Sequence, residues 1–133
     1  MPTTSFLTEQ DLAELEELGS VREFKARDVI LEQNMGCESV FWILDGVVQV
    51  DFHQLYNNDV LAYLGAGDLF GEMSYLLGSN TSAGVVATQD GRLLEIPFSQ
   101  LSSLVDTRPQ LAARFYKTLA HTLAGRLRAA NAR

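Results

Sequence analysis

The 133 residues include one cysteine, two histidines and three prolines. A lone Cys37 excludes an internal disulfide, and with it the stapled scaffolds of small secreted domains; it fits a reducing cytoplasm. No base flanks it in Met35-Gly36-Cys37-Glu38, so it reads as a small structural residue rather than a reactive thiol. His53 and His121 lie far apart with no ligand spacing around them, so no metal site is assigned. Ser74 is followed by no second glycine, which removes a nucleophile elbow. Asp68 and Glu72 are four apart, but they read as a turn aspartate and a binding or capping glutamate rather than an acid–base pair. No catalytic residue is assigned, and an enzyme is not expected. No apolar run approaches the ~18 residues that span a bilayer, and MPTTSFLTEQ lacks the basic and apolar regions of a signal peptide. Neither a membrane span nor a leader is expected, and the location expected is cytoplasmic.

Acids are missing from one end of the chain. Residues 1–106 hold all seventeen acids and four bases, Arg22, Lys25, Arg27 and Arg92, a net charge of −13. Residues 107–133 hold six bases and no acid, a net charge of +6. An acidic body argues against nucleic acid over most of the surface. The basic end reads as a helix whose cations lie near its C-terminus or face solvent.

What is present is a length and composition ordinary for one soluble globular domain over 1–133, with 47% apolar and 20% charged residues. Thr8 is a candidate helix N-cap with Asp11 at the third helical position, a capping-box variant, and Leu7 and Leu12 form a candidate hydrophobic staple. Leu12, Leu15 and Leu18 recur at helical spacing, and Gly19 marks a stop, giving a helix over 8–19. From 20 to 97 the texture is strand and turn. Candidate strands are Val21–Phe24, Val29–Glu32, Val40–Leu44, Val47–Phe52, Val60–Leu64, Ala83–Thr88 and Arg92–Ile96. Val48, Val50 and Phe52 alternate with Val47, Gln49 and Asp51, the pattern of a half-buried strand. Turns fall at Asp45-Gly46, Asn57-Asn58-Asp59, Gly65-Ala66-Gly67 and Asp90-Gly91, and the last reads as a tight hairpin. Short, evenly spaced strands suggest a small barrel or jelly roll. Metal-binding cupins share that shape but need histidine clusters that this sequence lacks.

Residues 98–133 turn helical. Ser99–Val105 gives a short helix, and Arg108-Pro109 opens a long one with proline in the first turn. Ala113, Tyr116, Ala120, Leu123, Leu127 and Ala130 form a heptad stripe, and Leu111, Phe115 and Leu119 a second stripe at steps of four. Two apolar stripes imply two partners, the barrel and a second copy of the helix.

The remaining stretch is Leu64–Thr88, LGAGDLFGEMSYLLGSNTSAGVVAT. Gly65, Gly67 and Gly71 let backbone N–H groups approach a ligand closely. A helix beginning near Gly71 would turn its first N–H groups toward an anion. Glu72 supplies an acceptor for a ligand hydroxyl. A Rossmann phosphate loop does not fit, because the glycine spacing is off, no long helix follows and no βαβ alternation surrounds it.

This stretch resembles the phosphate-binding cassette of cyclic nucleotide-binding domains. Phe70-Gly71-Glu72 matches that family's phenylalanine-glycine-glutamate, Met73–Leu77 its short helix and Gly78–Gly84 its small-residue loop. Val29–Gln33 with Gly36, Phe41–Gly46 and Leu64–Gly71 are similar to its other strands and turns, with Asn34 where a glycine is usual, so the likeness runs over residues 8–128. The resemblance implies a mainly β fold, a β-roll with an N-terminal helix and C-terminal helices. It implies a non-enzymatic regulatory or sensor module with cyclic AMP or cyclic GMP as the candidate ligand. The ligand-binding residues it implies are Phe70, Gly71, Glu72, Met73, Thr81, Ser82 and Ala83. Glu72 would accept the ribose 2′-hydroxyl, and backbone N–H groups near Gly71, Ser82 and Ala83 would face the phosphate.

Two departures matter. The family's phosphate-pairing arginine falls on Thr81, and the small hydroxyl residue that often follows falls on Gly84. Thr81 and Ser82 offer hydroxyls but no charge. Losing a charge-assisted bond of ~1.5–3 kcal/mol weakens binding roughly 10- to 100-fold, unless Arg92, Arg108 or Arg114 reaches the pocket. The alternative is a degenerate roll that binds no nucleotide and serves for dimerisation or partner docking; Glu72 would then bond the loop's own N–H groups. In this family the last helix often dimerises or closes over the ligand as a lid, so a homodimer through that helix is expected. A transcription factor of the family would continue into a helix-turn-helix reader, and residues 1–133 contain none.

Overall fold

A computed structural model of the protein describes residues 6–131. Thr8 starts the first helix as its sequence predicts: its hydroxyl accepts the Asp11 N–H and the Asp11 carboxylate accepts the Thr8 N–H, both at 3.0 Å. Helix α1 covers Glu9–Leu18. Gly19 ends it by donating to the Leu15 carbonyl, with an extended backbone rather than the left-handed turn of a usual glycine stop. The glycine is needed there because a Cβ would lie 2.5 Å from the Glu95 carbonyl oxygen.

Eight strands follow: β1 Ser20–Phe24, β2 Val29–Leu31, β3 Ser39–Asp45, β4 Val48–His53, β5 Asn58–Leu64, β6 Leu69–Phe70, β7 Gly84–Ala87 and β8 Gly91–Pro97. They form two antiparallel four-stranded sheets, in the orders β1-β8-β3-β6 and β2-β7-β4-β5. With helices at both ends, this is the β-roll that the resemblance implies. Helix α2 spans Glu72–Leu77 within the cassette, α3 spans Phe98–Thr107 and α4 spans Pro109–Asn131.

β3 explains how two layers grow from one sheet. Its run Val40-Phe41-Trp42-Ile43 is buried on both faces. Phe41 and Ile43 join Phe24, Val48, Phe70, Val85 and Leu93 in a cluster between the sheets. Val40 and Trp42 join Leu15, Leu94, Ile96, Leu101, Phe115 and Leu119 in a cluster under the helices. A continuous apolar run is what a strand covered on both sides requires.

Three sequence readings change. Asp90-Gly91 is not a hairpin: β7 and β8 belong to different sheets, so this turn crosses between layers. Asp45-Gly46 crosses the same way between β3 and β4. The two crossings touch backbone to backbone. A Cβ on Gly91 would lie 2.2 Å from the Asp45 carbonyl oxygen, and one on Gly46, whose φ is +89°, would lie 2.8 Å from that of Asp90. The strand read as Val60–Leu64 carries a bulge, with Leu61 as the extra residue opposite Val50 and Asp51, while β4 keeps its alternation and pairs with β7 without a shift. Asp51 keeps the Gln49 side of β4, is buried there, and its carboxylate accepts from the Gln49 amide at 2.6 Å. The third change is β6, two residues that the strand pattern did not separate from the turn before them.

On α4 the stripe Leu111, Phe115 and Leu119 is buried against the roll, as predicted. The heptad stripe is split. Ala113 and Ala120 face solvent, Tyr116 is half-buried, and Leu123 and Leu127 line a cavity described below; the Ala130 side chain lies outside the described residues. The basic end is a solvated cationic face only in part: Lys117 and Arg128 are exposed, as expected, but three of its arginines are paired. Arg114 pairs with Asp11, Arg126 with Glu72, and Arg108, more loosely at 3.8 Å, with Glu14.

Candidate ligand-binding site

A cavity of about 580 Å³ opens between the β2-β7-β4-β5 sheet, the cassette and the last turns of α4. Leu31, Val50, Leu61, Ala62, Leu64 and Val85 supply an apolar wall from the sheet. Phe70, Gly71, Glu72, Met73, Thr81, Ser82 and Ala83, the seven residues singled out in the sequence, all line it, with Ser74. Leu123, Arg126, Leu127 and Ala129 face it from α4.

Backbone geometry sets the cassette in place. Gly71 has φ +85°, and a Cβ there would lie 2.8 Å from the Ser39 carbonyl oxygen. Only glycine fits both demands, and it lets α2 start directly beneath β3. The rings of Phe70 and Phe41 stack 4.9 Å apart behind it. Asp68 closes the preceding turn by accepting the Gly65 N–H at 2.9 Å, the turn role read from the sequence.

Thr81 is buried and occupied. Its hydroxyl accepts the Met35 N–H at 3.1 Å and donates to the Glu32 carbonyl, while its own N–H and carbonyl bond Met35 and Asn34. It ties the loop after β2 to the cassette. An arginine in its place would sacrifice both hydroxyl bonds, so threonine here is part of the local fold. Ser82 is exposed beside it.

Glu72 is 2% exposed, and its partner is not a loop N–H. The Arg126 guanidinium donates to the Glu72 carboxylate from one nitrogen and to the Leu69 carbonyl from another. A second tie joins the same two helices: the Tyr75 and Tyr116 hydroxyls bond at 2.7 Å. Burial, followed by that hydrogen bond, pushes the Tyr116 phenol up to about 12, so that phenol stays neutral at ordinary pH. The cassette helix therefore meets α4 twice, at Tyr116 in its first half and at Arg126 near its end, and α4 forms one side of the cavity.

Arg126 is the residue that the sequence argument missed. The three cations considered for the pocket lie elsewhere: Arg92 on Asp45, Arg108 on Glu14 and Arg114 on Asp11. The available signal was a lone cation between Leu123 and Leu127 on the apolar stripe. Among the described residues lining the cavity, Arg126 is the sole cation and Glu72 the sole anion.

The remaining reactive types have local roles. His53 Nδ1 bonds Asn58 at 2.8 Å, and His121 meets the Phe6 ring edge-on at 4.6 Å. The Cys37 thiol donates to the Ser39 carbonyl, and burial pushes its pKa up, away from a reactive thiolate. Among the described residues, no cluster of three or more metal-ligating side chains occurs, and no helix is long and apolar enough to cross a membrane.

The family model for the cyclic nucleotide-binding domain matches residues 21–108. The chain belongs to that family. Domains of this family are generally regulatory rather than catalytic. This cyclic nucleotide-binding domain is 34% identical over 125 residues to cyclic GMP-binding protein C of Dictyostelium discoideum, covering 92% of the chain and 5% of that protein. It is 32% identical over 132 residues to glutaminase 1 of Bradyrhizobium diazoefficiens, covering 99% of the chain and 21% of that protein. In structure it matches the catabolite activator protein of Thermus thermophilus with a TM-score of 0.80 at 30% identity, over 94% of the chain and 57% of that protein. The chain thus spans a twentieth to about a fifth of the length of these two curated relatives.

Proposed function

We propose that the domain is a non-enzymatic regulatory module that takes a cyclic nucleotide, cyclic AMP or cyclic GMP, in the cavity under α4. The observation that carries this reading is convergence. Phe70, Gly71, Glu72, Met73, Thr81, Ser82 and Ala83 line one cavity, with the buried Glu72 carboxyl bonded to Arg126 in it. Glu72 takes a sugar hydroxyl, backbone N–H groups of the cassette take phosphate oxygens, and the apolar wall of Val50, Leu61 and Ala62 takes the base. The apparent glutaminase likeness enters as a shared regulatory segment, not as an activity.

Calorimetric titration with cyclic AMP and cyclic GMP tests it. Micromolar binding of at least one is expected, with Glu72→Ala weakening it roughly 10-fold or more while the fold is retained. Silence from both nucleotides would remove the sensor reading and leave the docking alternative. One observation favours that alternative: Glu72 already has a partner in the chain itself, so the module closes without a ligand.

The same reading includes a cytoplasmic homodimer joined through the exposed part of the α4 stripe, Ala113 and Ala120. Sedimentation should give twice the 14.7 kDa chain mass, and Ala120→Glu should return it to one. A monomer in the unmodified protein would remove the dimer.

A further inference from the structure

We infer that Arg126 is the charge partner of the ligand's phosphate, so that α4 supplies the cation the cassette lacks at Thr81. The inference rests on the cyclic nucleotide reading above and adds the residue that would make it work.

The position of the cation comes first. Arg126 lines the same cavity as Glu72 and the Ser82–Ala83 backbone, and it is the sole cation among the described lining residues. Its guanidinium carries five N–H donors. Two of them go to Glu72 and Leu69. The guanidinium thus has more donors than these two contacts use, its side chain is 33% exposed, and the Glu72 contact holds the fork in place. Planar guanidinium groups suit this task, since they donate two parallel N–H bonds to two phosphate oxygens.

The chemistry of the ligand comes second. A 3′,5′-cyclic nucleotide presents a free 2′-hydroxyl next to a singly charged phosphodiester. A carboxylate bonded to a guanidinium is the matching receptor: the hydroxyl donates to Glu72 and the phosphate accepts from Arg126. A linear monophosphate carries extra charge, and the neighbouring Glu72 repels it. The class selected is therefore a monoanionic cyclic phosphodiester of a ribonucleoside.

The third point is the consequence. Arg126 stands on the last turns of α4, so the ligand would join cassette and helix through a second ionic contact. Occupancy of the cavity would then be felt at α4, which also carries the exposed Ala113 and Ala120.

Calorimetry of the full chain with cyclic AMP and cyclic GMP, compared with Arg126→Gln and Arg126→Lys, tests the assignment. Arg126→Gln should weaken nucleotide binding roughly 10- to 100-fold, and Arg126→Lys should recover part of the loss by keeping the charge. A nuclear magnetic resonance titration of the unmodified protein keeps the test independent of variant folding. The arginine Nε–H signal that disappears in Arg126→Lys should move as nucleotide saturates the site. A signal that stays fixed at saturation, or equal or tighter binding by Arg126→Gln, would overturn the inference alone, leaving Arg126 as a strut between helix and cassette. If the unmodified protein binds neither nucleotide, the underlying reading fails and this inference fails with it.

Discussion

Arg126→Ala should lower the unfolding free energy by about 2–4 kcal/mol, read from the denaturant midpoint. The reason is the state of Glu72, which is 2% exposed and faces no other cation in the cavity. Removing the guanidinium leaves a buried carboxyl without its partner in a largely apolar cavity. The full cost of breaking a buried pair is about 3–5 kcal/mol, and it is discounted here because the Arg126 side chain is 33% exposed and water reaches it. The reverse variant should cost less. Glu72→Ala leaves Arg126 free to swing its head toward solvent on a flexible stem. The double variant Arg126→Ala/Glu72→Ala should lie closer to Glu72→Ala than to Arg126→Ala, because removing both partners leaves no carboxyl stranded. A double-mutant cycle checks this directly. Equal losses in both single variants would mean that Glu72 is held by something other than Arg126. A buried carboxyl in this position is costly to leave unpaired, and within the chain Arg126 is its partner.

The layout of the roll was largely legible in the sequence, because its signals are local. Thr8 and Asp11 sit three apart and cap each other as that spacing requires. The glycines at 46, 71 and 91 stand where backbone meets backbone or φ is positive. The buried stripe of α4 is a matter of steps of four. What the sequence hid was non-local. Asp90-Gly91 has the composition of a hairpin turn, yet strand partners are chosen by long-range pairing, and β8 pairs with β1 and β3 rather than β7. A bulge in β5 inserts Leu61 opposite Val50 and Asp51 of β4, and the short apolar run Val60–Leu64 gives no local sign of it. Arg126 was hidden for the same reason. It lies 54 positions after Glu72, and only the packing of α4 over the cassette joins them. The cassette itself was readable from Phe70-Gly71-Glu72. The absent arginine at Thr81 was readable too, but the structural use of that threonine hydroxyl, between Met35 and Glu32, was not.

Asp11→Asn should cost about 2 kcal/mol at neutral pH, and its effect should vanish in acid. Asp11 is 3% exposed and receives both Nε and Nη2 of Arg114, at 2.6 and 2.7 Å, as well as the Thr8 N–H. It therefore caps α1 and fastens that helix to α4 with one side chain. The Arg114 hydrogen bonds, working against burial, hold its carboxyl at about 2, below the ordinary 3.8. A depressed folded-state value has a definite sign. The unfolded chain takes up the proton first as pH falls, so the pair's contribution is complete above about pH 4 and is lost on the way down to about pH 2. Arg114 is 37% exposed, and solvent screening keeps the contribution to about 1–2 kcal/mol of pH-dependent stability. Asparagine retains an oxygen for the Thr8 N–H but has no charge to lose. The gap in urea midpoint between the unmodified protein and Asp11→Asn should therefore be widest at neutral pH and close steadily below pH 4. A gap that persists unchanged at pH 2 would mean that shape and capping, not the ionic contact with Arg114, hold α1 to α4. Because α4 also walls the cavity through Leu123 and Arg126, a loosened α1 end should weaken nucleotide binding only as far as it loosens that helix.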